Sequence, residues 1–412
     1  MREGRAPAAM DWLAWLAVVL AAAIILAATG YRSRDPDSAL HAHIAARLAA
    51  QPVARWIAPE WWGGMRSEGP YREHPVGIFL LPALLGKLGY PAGQAAYAAN
   101  ALYQVLTLAL VPRIAAVLVA PVEARALAWL LQLLPIAFTY RIRANHEQLI
   151  LLCFLAALWA TERARTDARW IGLTTAAVVG TLLVKGIFAL LVVAACAGWL
   201  LTVRRSDGAP RRADRAVWAG LGGAAAVAVG VTAGYERLYR QVTGESFLAY
   251  YLPTQVGRTA APRSPSLVAH KLYNLGWYLA RVVWFPFPAS LAAFAAAWAR
   301  RDAFGRAFTS SGPRADRARE GLVFTLGVSL LYLVLFSLAD RKADRYIFPA
   351  YYLVGACGLV AAVRTWPRLR RLVEAADRYH AVLPAALWLA LFTLSLGGWW
   401  LSLARPKFWP AE

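Results

Sequence analysis

Cysteine is scarce in this chain: Cys153, Cys196 and Cys357 are the only three in 412 residues, and each lies inside an apolar run. That spacing excludes a disulfide framework and a cysteine-based metal site. Charge is scarce as well, at 16% of residues, and acid most of all, with 23 Asp and Glu against 44 Lys and Arg. No internal repeat, low-complexity tail or stretch suited to a soluble domain breaks the pattern. What is abundant is apolar surface. Hydrophobic residues make up 59% of the chain, against about 45–50% in soluble domains, and the mean hydropathy is +0.45. Two or three soluble cores would still need a polar shell that this composition cannot supply. The chain therefore reads as an all-α polytopic membrane protein. Its net charge of +21 reads as topology and as affinity for anionic lipid or phosphate. Nucleic acid is not expected as a partner, because the basic residues come in short runs between apolar spans.

A spanning helix needs about 20 apolar residues. Eleven segments qualify: 12–29, 95–112, 124–140, 147–161, 170–184, 186–203, 216–234, 273–299, 321–339, 346–363 and 382–402. The first follows Arg2 and Arg5 and is read as an uncleaved anchor. A twelfth stretch, 75–90, is short and carries Pro75, Pro82, Gly86, Lys87 and Gly89. If it does not cross, the Arg clusters at 113/125, 163–169, 204–215, 300–319 and 364–378 all fall on one side, the cytoplasmic one. The segment is accordingly placed as interfacial or re-entrant. The whole of 1–412 is then one membrane-embedded domain with two sizeable outer loops, 30–94 and 235–272.

The polar residues of the opposite, outer side stand out. Asp35-Pro36 has the form of a helix start, with Asp as N-cap and Pro at the first helical position. The helix should run to about Ala50, where Gln51-Pro52 ends it. Leu40, Ile44 and Leu48 form one apolar stripe, which suits an amphipathic helix on the membrane surface. Asp37 and His41, four apart, share a face. Both acids could also be plain helix-end residues. Next come Arg72-Glu73-His74 before the interfacial segment, either a water boundary or a substrate headgroup site. Arg143 and His146-Glu147 sit at the mouth of a helix pair, where they would snorkel or line a watery cavity. Lys185-Gly186 lies between two apolar runs, and a Lys there is either a snorkelling residue or a phosphate ligand. Arg341, Lys342 and Arg345 crowd a short outer loop that should be poor in cations, and an anionic ligand would supply the reason. Arg281, inside a span, is a further oddity. An acid set beside a cation set is what transfer from a lipid-phosphate donor requires: the acid deprotonates an acceptor, and the cations stabilise the departing phosphate.

These residues resemble the GT-C superfamily of integral-membrane glycosyltransferases, in the branch related to protein O-mannosyltransferases and the aminoarabinose transferase of lipid A. The likeness is carried by Asp37-Ser38 with His41 and Ile44, then Tyr71-Arg72-Glu73-His74-Pro75, then Arg143 with Glu147, then Lys185-Gly186, and last Arg345-Tyr346-Ile347-Phe348-Pro349. Ser38 stands where the branch has Glu, and Val76 where it has a second Pro. The resemblance implies transfer of a hexose or pentose from a polyprenyl-phosphate donor, with inversion, to an acceptor lipid, glycan or protein outside the cytoplasm of a bacterial inner membrane. It implies Asp37, with Asp35 as alternative, as general base. Lys185, Arg143, Arg341, Lys342 and Arg345 would hold the donor phosphate. Arg72, Glu73, His74, His146, Glu147 and Tyr346 would line the substrate site. No cofactor is expected; Asp37 with His41 keeps a divalent metal open. The rival is a transporter or flippase of a lipid-linked sugar, which would normally show paired repeats and broken helices near the midplane.

Overall fold

The computed structural model describes residues 8–61, 69–204, 214–257, 267–292, 313–339 and 342–398. Among these the chain is almost entirely helical, and the one sheet-like contact is an isolated bridge between Glu60 and Pro70. Six helical segments are long and apolar enough to cross a membrane: Trp12–Thr29, Ala92–Leu118, Ala168–Lys185, Arg215–Thr243, Arg317–Leu338 and Asp344–Thr365. A seventh crossing arises if Pro367–Tyr379 and Val382–Leu396, bent by 99° to each other, form one broken span.

Helix α1 (Ala8–Thr29) leads into α2 (Pro36–Ala50), which begins and ends where the sequence places it. The Asp35 side chain accepts from the Ser38 N–H, Pro36 opens the first turn, and Gln51 ends the helix in an extended conformation. The apolar stripe of α2 faces protein. Leu40, Ile44 and Leu48 are buried in one core cluster with Phe79 and Ala83 of α3 (Gly77–Lys87). Helix α3 has 11 residues, about 16 Å of rise, against a hydrocarbon core of about 30 Å. It cannot cross, in keeping with the re-entrant or interfacial placement of 75–90.

Of the eleven expected spans, five are not among the six crossing segments: Glu147–Ala164 and Phe188–Thr202 stay below the length or apolarity needed, and three differ in course, with proline accounting for two. Segment 124–140 is broken into α5 (Pro121–Leu130), a 3-10 turn and α6 (Pro135–Tyr140). Leu134 is extended, at φ −76 and ψ 145, because a residue preceding proline disfavours the helical region. Segment 273–299 is helical from Leu267 to Trp284 and then turns through 285–288, where Pro286 and Pro288 remove backbone donors; residues 293–299 lie outside the described set. Segment 382–402 is helical over Val382–Leu396, with Gly397 as its C-cap; residues 399–402 lie outside the described set.

The remaining long helices are α4 (Ala92–Leu118), α7 (Glu147–Ala164), α8 (Ile171–Lys185), α9 (Phe188–Thr202) and α10 (Arg215–Thr243), with α11 (Phe247–Tyr251) after it. Then follow α12 (Leu267–Trp284), α13 (Pro313–Leu338), α14 (Phe348–Thr365), α15 (Pro367–Ala376) and α16 (Val382–Leu396). At the ends bearing the Arg clusters, the few acids are paired. Arg125 donates twice to Asp377 at 2.7 and 2.6 Å. Arg364 donates twice to Glu123 at 2.8 and 2.7 Å. Such forked pairs are the geometrically specific kind, and they tie α5 to α14 and to the turn after α15.

Candidate functional site

The site is assembled at the other end of the bundle, around the first turn of α2. Asp35 and Asp37 are two residues apart there, and positions two apart on a helix point about 200° away from each other. Their surroundings differ accordingly. Asp35 Oδ2 accepts from the Ser38 backbone N–H at 3.0 Å, the Ser38 hydroxyl at 2.6 Å and the Asn145 amide at 3.3 Å. Arg143 lies 3.6 Å from its other oxygen. Asp35 is thus a structural cap whose carboxylate is fully engaged. Asp37 instead forms an ion pair with Arg345 from the 3-10 turn before α14, and its side chain is 41% exposed.

Glu147, the first residue of α7, is buried beside Lys185, the last of α8, with Lys185 Nζ 3.7 Å from Glu147 Oε1. Neither carboxylate oxygen of Glu147 accepts a hydrogen bond. Lys185 also lies over the rings of Phe188, at 4.8 Å, and Tyr346, at 5.2 Å. The structure therefore brings Asp37, Arg345, Glu147 and Lys185 together from four distant parts of the chain. Three imidazoles stack beside them edge to face: His41 on His146 at 4.6 Å, and His146 on His74 at 4.5 Å. The His41 Nδ1–H donates to the Ala144 carbonyl at 3.1 Å.

A cavity of about 380 Å³ opens from this cluster. Lys185, His74, Tyr346 and Gln255 supply its polar end. Its walls include Ile187, Leu190, Leu335 and Leu338, which are 46%, 64%, 46% and 59% exposed. Large aliphatic side chains exposed on a membrane-spanning bundle face lipid, so the cavity runs from a buried cation to the bilayer.

The break between α8 and α9 that presents Lys185 has a cause the sequence reading missed. Gly186 adopts φ +53, and a Cβ there would collide with the Tyr251 hydroxyl. That hydroxyl donates to the Lys185 carbonyl and accepts from the Ile187 N–H, both at 3.3 Å. Tyr251, the last residue of α11, thus braces the turn. Its only sequence signal is a run of aromatics at 247–251.

The remaining candidates fall elsewhere. Lys342 stacks on Tyr273 at 3.8 Å and is absent from the cavity lining. Arg143 pairs with Asp35 and faces a different cavity. Arg72 pairs with Glu245 and covers Tyr250, which fastens the first outer loop to the second. Glu73 is partly exposed. Arg341 lies outside the described residues. Arg281 forms an ion pair with Asp344 and stacks on Trp277 at 3.2 Å, so it steadies the segment that carries Arg345. Among the described residues, no group of three or more His, Cys, Asp or Glu side chains could hold a metal ion.

The electrostatics fit a carboxylate kept ionised. Burial pushes the Asp37 carboxyl up, but Arg345, His41 and Lys185 together outweigh it and hold the group below its ordinary value. Burial pushes His41 down despite the pull of Asp37. His146 is driven well below 6.5 by burial, reinforced by His74, His41 and Lys185. At neutral pH the site therefore presents an anionic Asp37 and two neutral imidazoles.

Residues 73–232 match the family model described as dolichyl-phosphate-mannose-protein mannosyltransferase. No curated protein matches the chain. Among solved structures, ArnT from Cupriavidus metallidurans bound to undecaprenyl phosphate is 16% identical, with a TM-score of 0.64 over 96% of this chain and 78% of that one. The apo state of the same protein gives 0.63 over the same shares, again at 16% identity. The archaeal oligosaccharyltransferase AglB from Archaeoglobus fulgidus, in complex with an inhibitory peptide and a dolichol-phosphate, is 13% identical with a TM-score of 0.50, over 96% of this chain and 56% of that one. Identities this low speak to the fold alone, which this chain shares with ArnT and, more loosely, with AglB.

Proposed function

Taking the GT-C membrane fold as the premise, we propose that the chain is a glycosyltransferase that moves a hexose or pentose from a polyprenyl-phosphate carrier to an acceptor outside the cytoplasm. The observation that carries this reading is the cavity at Lys185: a buried ammonium at one end and lipid-facing aliphatic walls at the other. A prenyl phosphate has the same polarity, one anionic head on a long apolar tail. The similar ArnT structure was obtained with undecaprenyl phosphate and the AglB structure with a dolichol-phosphate, in agreement with such a donor.

In the proposed reaction the acceptor oxygen attacks the anomeric carbon and forms the new C–O bond. The bond from that carbon to the phosphate oxygen breaks with its electron pair, inverting the centre. Asp37 takes the proton where the acceptor is a hydroxyl. Lys185 and Arg345 lie where they would meet the charge that develops on the phosphate. Each guanidinium or ammonium contact to it is charge-assisted and partly desolvated. Glu147 lies against Lys185 and holds it in place. The setting would be a bacterial inner membrane, with the site on the outer face that the Arg alternation assigns.

The test is a panel of polyprenyl-phosphate sugars with radiolabelled hexoses or pentoses, incubated with membranes containing the chain or its Asp37→Asn variant. Label should leave the carrier with the wild type and stay on it with the variant. Label that crosses the bilayer while still attached to its carrier would establish the flippase reading instead.

A further inference from the structure

We propose that the same end of the bundle holds a second anion-binding site, at which a phosphate- or carboxylate-bearing acceptor docks beside α2; this rests on reading the Lys185 cavity as the donor side. The site is a cavity of about 590 Å³, bounded by Tyr31, Arg32, Arg34, Asp35, Arg143 and the end of α16.

Its cationic rim is built into the chain path. The Ser33 N–H donates to the Tyr97 hydroxyl at 3.1 Å, and the Ser33 hydroxyl accepts from the Asp35 N–H at 3.1 Å. Tyr31 packs edge-on against Tyr97 at 5.3 Å. These contacts pin Ser33 inward and leave Arg32 and Arg34 exposed on either side of it, both lining the cavity. Arg143 enters from the opposite loop and is 5% exposed. Asp35 is the one carboxylate in the lining, and capping α2 already occupies it. Arg32 and Arg34 pair with no carboxylate among the described residues. Three guanidinium groups against one committed acid make the cavity electropositive, at the end where short loops should be poor in cations. A guanidinium presents a planar fork that matches phosphate and carboxylate.

The donor reading uses none of these three arginines. Asp35 is turned to Arg143, and Asp37 to Arg345 and the Lys185 cluster. Positions 35 and 37 face opposite sides of a helix about 10–12 Å across, so an acceptor anchored by its anion beside Arg32 and Arg34 would pass around the first turn of α2 to bring its nucleophile to Asp37. The two substrates would then approach the same carboxylate from opposite sides.

Native mass spectrometry of the full chain in detergent micelles tests this, with undecaprenyl phosphate, a short-chain phosphatidic acid and soluble glycerol phosphate as probes. With undecaprenyl phosphate saturating, the wild type should still take up a phosphate probe. Arg32→Ser combined with Arg34→Ser should weaken that uptake about tenfold or more and leave undecaprenyl phosphate binding within about twofold. Preference for phosphatidic acid over glycerol phosphate would assign the site to a lipid headgroup, and equal binding to a free anion. Three outcomes overturn the proposal: no phosphate uptake by the wild type, one-for-one competition by undecaprenyl phosphate, or wild-type uptake in the double variant. If Lys185→Ala leaves undecaprenyl phosphate binding intact while the double variant loses the second probe, the donor reading fails and this site stands.

Discussion

Asp37 and Arg345, separated by 308 positions in the chain, form an ion pair that joins the first turn of α2 to the turn before α14. Through that pair the candidate base is oriented by the same guanidinium that approaches Lys185 and Glu147. One cation thus links the acid side of the site to the phosphate side. The brace of Arg281 on Asp344 next door keeps that cation from swinging free.

Asp37→Asn should lower transfer by about 10²–10⁴-fold with thermal stability and undecaprenyl phosphate binding retained. Asp35→Ala should do the reverse, costing about 1 kcal/mol through loss of the helix cap while the Asp37 pair survives. Turnover and unfolding midpoints on both variants check this. Equal turnover of Asp37→Asn and wild type would remove Asp37 from the mechanism.

Lys185→Ala should slow single turnover at saturating donor by roughly ten- to a hundredfold, the range expected for a lost bond to a charged group. The contact should strengthen as the phosphate departs, so the loss should appear in rate as well as in affinity. Tyr251→Phe removes only the hydroxyl that braces the Lys185 turn and should cost about two- to tenfold. A rapid-quench assay on the two variants distinguishes them. A larger effect for Tyr251→Phe than for Lys185→Ala would contradict the bracing role.

Stability should fall on the acid side. His41 and His146 are held below the ordinary value of 6.5, so the unfolded chain binds protons there that the folded one does not. Their contribution is complete above about pH 6.5 and is lost as pH falls through the folded values. Asp37 acts in the same direction at lower pH, since its folded value lies below 3.8. Unfolding midpoints measured from pH 8 to pH 5 should decline below about 6.5, and His146→Asn should flatten the decline. A midpoint independent of pH would contradict the buried neutral imidazoles.

The Arg alternation predicts which end of the bundle faces the cytoplasm. In intact cells, a cysteine at Ser246 should react with a membrane-impermeant thiol reagent and one at Ser206 should not, with Cys153, Cys196 and Cys357 replaced. The inverse pattern would turn the site toward the cytoplasm and remove the outer-face acceptor.

Much of this was open to reading from residue order, and where it was not, the reason is physical. Asp35-Pro36 announces a helix start through local backbone chemistry, and α2 begins there. The brevity of 75–90 with its prolines and glycines is likewise local, and α3 is too short to cross. The break at Leu134 follows from Pro135, a backbone constraint that the uniform apolar content of 124–140 conceals. Lys342 is close to Arg345 in sequence, yet it stacks on Tyr273, since neighbours in a tight turn point different ways.

Sequence alone determined that the chain belongs in a membrane, because hydropathy is a sum over residues and needs no coordinates. It also determined that acids and cations gather at one end, since span parity follows from counting. Which acid is free to act, and which only caps a helix, was decided by tertiary structure. Asp35 and Asp37 have the same side chain and nearly the same local sequence. Only folding carries Arg345 to one of them, and Asn145 with Arg143 to the other, because partners from distant segments converge through packing that no local pattern encodes.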